Sequence, residues 1–285
     1  MNKKNYLLAI MPLALSLTVQ AKSTHLNAIS DELVATQRTE LAQNTKNKGF
    51  GPQSPRDIDS VAGTNTIHFG AAPAYNHMNL CNIHFHKNAE HKGGQFTKYA
   101  GNGDGHGYQT GYLYSGELTA QQRKPLPSAV CPSTHNSLQS GDTIEVHYVH
   151  SSAQVKPGAT LGACLSESIK NPQLRVETQV YVLVNDDNAL NFNKLSAVNE
   201  NNGKYQVLNI PKNTGKPVVY SGSTTGPSYN EAGSPLQVTW SVRPEVAKVN
   251  IASVAKWCEG NEFKEDHAHG VRNLVTNPEL LSPIK

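Results

Sequence analysis

From Asp59 onward the chain is a series of short runs in which apolar and polar residues alternate, parted by clusters of Gly, Pro, Asn and Ser. A period of two fits a pleated strand with one buried face, and the clusters mark turns. The clearest runs are Leu80–His86, Thr143–His150, Leu174–Asn185, Lys204–Ile210, Pro217–Ser221 and Leu236–Val242, with Val246–Ala252 less regular. Helical periodicity is nearly absent after residue 60. The pattern predicts a mostly β domain over 59–285. A chain of 285 residues, 37% hydrophobic, can bury a sizeable core, and its composition excludes a disordered, collagenous or coiled-coil chain.

The segment before this domain divides in two. Residues 1–21 carry Lys3 and Lys4, an apolar run from Tyr6 to Val19, and a small-residue cleavage site at Val19-Gln20-Ala21. That is an export signal, and Pro12 together with its length argues against a membrane span. Export predicts a periplasmic or secreted protein in an oxidising compartment, so Cys81, Cys131, Cys164 and Cys258 are expected to pair, in one of three connectivities. Residues 22–58 are polar, with a helical stretch near Asp31–Leu41 and a loop at Lys46–Pro55, and read as a surface arm. Charge narrows the partners. The whole chain has 25 Lys+Arg against 22 Asp+Glu, a net charge of +3. The signal takes away two lysines and no acid, leaving 23 against 22, or +1. A near-neutral chain without a basic, aromatic-studded patch gives no case for nucleic acid. The Gly-rich stretch Gly93–Gly107 follows neither a P-loop nor a dinucleotide pattern and reads as a surface loop.

Chemistry concentrates in two of the strands. On Leu80–His86, alternation puts Asn82, His84 and His86 on one face and Ile83 and Phe85 on the other. Histidines two apart on a strand sit ~6.5 Å apart, which lets their nitrogens converge on one metal ion. On Thr143–His150, Glu145 and His147 share a face. His147 is then a third ligand, and a neighbouring carboxylate fixes a ligand's tautomer by taking its outer N–H. Asn82 can do the same for His84 through its carbonyl. Three neutral histidines leave one tetrahedral position open, the arrangement of catalytic zinc. A rival set of His84, His86 and His91 with Glu90 also matches the first half of a cupin metal motif. Pro157-Gly158 lacks the later histidine that a cupin needs.

Beyond this point the residues resemble a carbonic anhydrase. His84-Phe85-His86 resembles the α-class ligand strand, and Glu90-His91 the Glu-His pair after it. Glu145-Val146-His147-Tyr148-Val149-His150 resembles the strand that carries the third ligand. Tyr220-Ser221-Gly222-Ser223-Thr224-Thr225-Gly226-Pro227 and Val238-Thr239-Trp240 resemble the loop and strand that follow, in the α-class order. The run from Asn82 to His91 is most similar to the δ class. The resemblance implies a single mostly β domain on a large, mainly antiparallel twisted sheet with few short helices. It implies reversible hydration of carbon dioxide to bicarbonate by a zinc-bound hydroxide. His84, His86 and His147 would hold Zn2+, with Asn82 and Glu145 orienting them. Thr224 would accept from the hydroxide and donate to Glu90, and Thr225 would line the bicarbonate site. Which of the two threonines is the gate stays open, because a residue of the family's loop is missing here. Val149, Val238 and Trp240 would wall the carbon dioxide pocket. No residue matches the family's proton shuttle, and His68, His77, His91 and His106 all remain candidates. His267-Ala268-His269 reads as a solvated tail. A cupin-type metalloenzyme and a non-catalytic exported metal-binding protein are the competing functions.

Overall fold

A computed structural model of the chain describes residues 28–224, 232–234 and 236–284. Helix α1 (Asp31–Thr45) comes first, followed by strands β1 (Pro52–Ser54), β2 (Asn79–Lys87), β3 (Lys98–Tyr99), β4 (Tyr112–Leu113), β5 (Thr143–Ser151) and β6 (Leu174–Val184). Then come helix α2 (Phe192–Leu195), β7 (Val198–Asn201), β8 (Lys204–Val207), β9 (Val218–Thr224), β10 (Val238–Val242), β11 (Ala247–Asn250) and helix α3 (Ile251–Cys258). The expected strands are present. The run Val246–Ala252 divides into β11 and the start of α3, because Asn250 caps the helix by accepting from Ser253 N.

The large sheet runs β1-β9-β10-β6-β5-β2, with β11 also beside β6. Its pairing is mixed. The β2/β5, β5/β6 and β9/β10 pairs are antiparallel, and β1/β9, β10/β6 and β11/β6 are parallel. A core covers each face. On one side Ile83, Phe85, Ile144, Val146 and Tyr148 pack with Phe192, Val254 and Trp257 of the short helices. Phe85 lies 6.2 Å from Phe192 and 5.8 Å from Trp257, ring centre to ring centre. On the other side Val149, Leu174, Val176, Val238 and Trp240 form a second cluster with Ile58. The histidines of β2 share this second side, so the apolar alternates anchor the strand that presents them.

The described part of the polar segment before residue 59, residues 28–58, is not an arm standing off the domain. Ser30 caps α1 by accepting from Leu33 N, and the helix buries Val34, Gln37, Leu41 and Thr45 along one stripe. Leu41 packs with Val275, Leu280 and Leu281 of the C-terminal segment. Strand β1 pairs with β9, where a Cβ on Gly222 would run into Gln53. Gln53, Ser54 and Arg56 are fully buried. Sequence polarity misleads here because these side chains find most of their polar partners inside the fold rather than in water. The stretch Gly93–Gly107 is held between the two ends of the chain. Gln37 donates to Gly105 O, and Val271 N donates to Gly107 O.

Two disulfides close the fold, Cys81–Cys164 and Cys131–Cys258. The first ties β2, next to Asn82, to the connection between β5 and β6. The second ties α3 to the segment before β5. No helix among the described residues is long and apolar enough to cross a membrane.

Candidate metal centre

The β2/β5 register sets His84 opposite His147 and His86 opposite Glu145. Nitrogens of His84, His86 and His147 lie within 4.8 Å of one another. Each outer nitrogen is held. Asn82 Oδ1 accepts from His84 Nδ1 at 2.7 Å, and the Asn82 amide is itself fixed by donating to Gly158 O at 3.0 Å. His86 Nδ1 donates to Gly270 O at 2.8 Å. His147 Nε2 donates to Glu145 Oε1 at 2.7 Å. The inward atoms are therefore His84 Nε2, His86 Nε2 and His147 Nδ1. The Nε2 of His86 is buried and has no hydrogen-bond partner. A buried imidazole nitrogen that converges with two others and has no partner fits a metal ion, since an orphaned polar atom otherwise costs free energy. Burial holds His84 well below the ordinary imidazole range and His86 at about 4, so both offer lone pairs at neutral pH.

Glu145 does more than sequence reasoning assigned it. Its Oε1 accepts from His147 Nε2 and from His91 Nδ1, each at 2.7 Å, and its Oε2 accepts from His91 N at 3.0 Å. Burial opposes its charge. The imidazoles of His91 and His147 outweigh that opposition and hold it well below the usual carboxylate range. His91 Nε2 in turn meets the Tyr220 hydroxyl at 2.7 Å. The structure thus places His91 behind the triad, not in a set with His84 and His86. With both nitrogens engaged and the ring fully buried, it is also poorly placed to carry protons to solvent.

Glu90 is buried beside the triad, and its Oε1 accepts from Arg272 N at 2.8 Å. Thr224 ends β9 with its backbone paired to Ser54. The Thr224 side chain and the whole of Thr225 lie outside the described residues.

Two cavities meet at the triad. The inner one, about 90 Å³, is lined by all three histidines, Glu90 and an apolar wall. That wall contains Val149, Val238 and Trp240 as expected, together with Leu161, Leu174 and Val176. The outer one, about 380 Å³, is more polar and includes His106, Glu265 and His269. His84, His86, Leu161 and Arg272 line both. Of the four shuttle candidates, His106 is the one that lines the outer cavity.

The C-terminal histidine pair is not wholly a solvated tail: His267 is exposed, but His269 is held in the fold. His269 N donates to Phe85 O and Lys87 N donates to His269 O, which seats the segment along β2. The His269 ring lies 5.7 Å from that of His84, and its Nε2 contacts Glu265 at 2.7 Å. The spacing Glu265-x3-His269 is the one signal that could have drawn attention to it. Gly270 acts through its carbonyl, which no side-chain pattern marks.

A family model described as Delta carbonic anhydrase matches residues 75–253. The chain belongs to the delta carbonic anhydrase family. It is a carbonic anhydrase, and its substrates by family are carbon dioxide and bicarbonate. The matched span contains β2, β5, β9 and β10, hence the three histidines, Glu90 and Glu145. It leaves out Arg56 and the segment from Glu265 to Arg272. Comparison with curated protein sequences finds no match.

Among solved structures, the α-carbonic anhydrase of Thermovibrio ammonificans in complex with sulfanilamide is 15% identical, with 83% of this chain and 87% of that one covered, at a TM-score of 0.26. A hyperthermostable carbonic anhydrase identified from a hydrothermal vent chimney is 16% identical, covering 84% and 89%, at 0.27. The Photobacterium profundum α-carbonic anhydrase is 15% identical, covering 86% and 95%, at 0.26.

Proposed function

We propose that this delta carbonic anhydrase holds zinc through His84, His86 and His147 and catalyses reversible hydration of carbon dioxide. The observation that carries the reading is the convergence of three imidazole nitrogens whose outer partners are all acceptors. Zinc held by neutral ligands lowers the pKa of a bound water to about 7 and so supplies a nucleophile at neutral pH. Every other task falls to the chain. Asn82, Gly270 O and Glu145 fix the three tautomers, so that each ring turns its free lone pair inward. Val149, Val238 and Trp240 exclude bulk water and offer carbon dioxide an apolar wall. Glu90 would accept a hydrogen bond from the Thr224 hydroxyl, which would in turn accept one from the attacking group and aim it at the substrate carbon. Thr225 lines the bicarbonate position.

Residues 1–21 serve as an export signal, and the mature protein works in the periplasm or outside the cell, where two disulfides persist. The family match sets aside the cupin alternative. The full ligand and carboxylate set argues against a non-catalytic relative.

Zinc analysis of the mature protein, paired with a carbon dioxide hydration assay before and after chelation, tests the reading. About one zinc per chain and a chelator-sensitive rate are expected. Zinc bound with no rate above buffer would sink it.

A further inference from the structure

Arg56 is the most deeply buried cation described, at 1% exposure, and its charge has no carboxylate in contact among the described residues. Asp57, its neighbour in sequence, is engaged by Lys92 at 2.6 Å. The guanidinium donates instead to neutral acceptors: Ser282 O at 2.9 Å, Ser60 O at 3.0 Å and Ala62 O at 3.4 Å, with Gln53 Oε1 at 3.5 Å. Its Nε has no partner. If Arg56 only clamped loops, a neutral donor would do so without the cost of burying a charge. The charge has one further neighbour. It lies over the ring of Tyr220, 5.3 Å from the ring centre.

A cation over a phenol ring is drawn to its π face and withdraws electron density from it, which strengthens the hydroxyl as a donor. That hydroxyl meets His91 Nε2 at 2.7 Å, and burial raises its pKa, so it keeps its proton to donate. His91 Nδ1–H is committed to Glu145 Oε1, the same oxygen that holds His147 Nε2. Two histidines thus compete for one carboxylate oxygen, and whatever makes His91 the better donor weakens the hold on His147. Chains of hydrogen bonds in a low-dielectric interior polarise one another in this way.

We propose that Arg56 is a positioning residue for the metal centre, its buried charge acting through Tyr220 and His91 to draw the Glu145 carboxylate away from His147. The inference rests on His147 being a zinc ligand. A carboxylate that pulls harder on the outer N–H makes a more electron-rich ligand and a more tightly held metal. Arg56 therefore loosens zinc and leaves more of its positive charge for the substrate side. A loop clamp would do the reverse, because losing it would disorder the site and release zinc.

The test is zinc affinity by chelator competition on the mature protein, comparing wild type with Arg56→Met and Arg56→Lys. Zinc binding by the wild type is the separate check on the ligand assignment. With that in hand, Arg56→Met is expected to hold zinc more tightly by on the order of tenfold, the scale of one charge acting through protein over ~10 Å. Arg56→Lys keeps the charge and has three donors for the three carbonyls, so it should match the wild type. Tyr220→Phe keeps the ring but removes the hydroxyl, and should shift affinity in the same direction as Arg56→Met. It decides the matter if Arg56→Met does not fold. Unchanged or weaker zinc binding in folded Arg56→Met, or weaker binding in Tyr220→Phe, overturns the proposal.

Discussion

At the scale of single residues, position behind or in front of the triad decides what a histidine does. His147→Ala should abolish zinc binding and hydration together, which metal analysis and assay report directly. His91→Ala should keep zinc, because the ligand set is intact. It removes one of the three hydrogen bonds Glu145 accepts from His91 and His147, leaving those from the His91 main chain and from His147 Nε2. Losing one hydrogen bond to a buried charged group costs about 1.5–3 kcal/mol, measurable as a lower denaturation midpoint. Glu90→Gln should retain zinc yet slow hydration by roughly a hundredfold, since it disturbs the acceptor that orients Thr224; an unchanged rate would contradict that role. His150 gives a pH signature away from the ligands. Burial lowers its pKa from 6.5 to about 4, and its Nε2 has no partner. The unfolded chain therefore binds a proton in this window that the folded chain refuses. Stability is full above about 6.5 and falls as pH drops toward 4, by roughly 3 kcal/mol from this one group. Denaturation of wild type and His150→Gln at a series of pH values, in the same metal state, should show a shallower acid slope in the variant.

Among the elements, the two disulfides separate stability from site geometry. Each closes a long loop, with sequence separations of 83 and 127. Removing either is expected to cost about 2–5 kcal/mol in a denaturant titration. Their consequences at the metal centre should differ. Cys81 adjoins Asn82, and Cys164 ends the short turn that carries Leu161 to both cavities. Replacing that pair with serines should weaken zinc retention as well, whereas the Cys131/Cys258 double serine variant should lose stability alone. Equal zinc retention in both variants would refute the distinction. The strands themselves were legible because period-two alternation is a direct image of a half-buried sheet. The cluster of His84, His86 and His147 was legible for the same reason, as the three had to share a face. Pairing of the cysteines was not, because it depends on which loops cross, and neither was the second bond of Glu145, because His91 reaches it from outside either strand.

For the molecule as a whole, the described segments before Asp59 and after Cys258 are structural parts of the domain. Arg56 is held by Ser60, Ala62 and Ser282, and His269 is seated on β2. A chain starting at Asp59 should therefore fail to fold into a zinc-binding form, while one starting at Lys22 should succeed; circular dichroism and zinc content distinguish them. Composition could not foresee this, since polar residues paired inside a fold look in sequence like polar residues facing water. The same holds for His269, whose seat along β2 is made by long-range main-chain bonds.

The facing of His84 and His147 across β2 and β5 has one more consequence. A slip of one residue between two strands sends every side chain of the slipped strand to the opposite side. The trio would then be split, two imidazoles on one side of the sheet and one on the other. If the trio holds zinc as proposed, metal capture would act as a proofreading step on strand alignment, since only a chain that has zipped these two strands correctly could retain the ion.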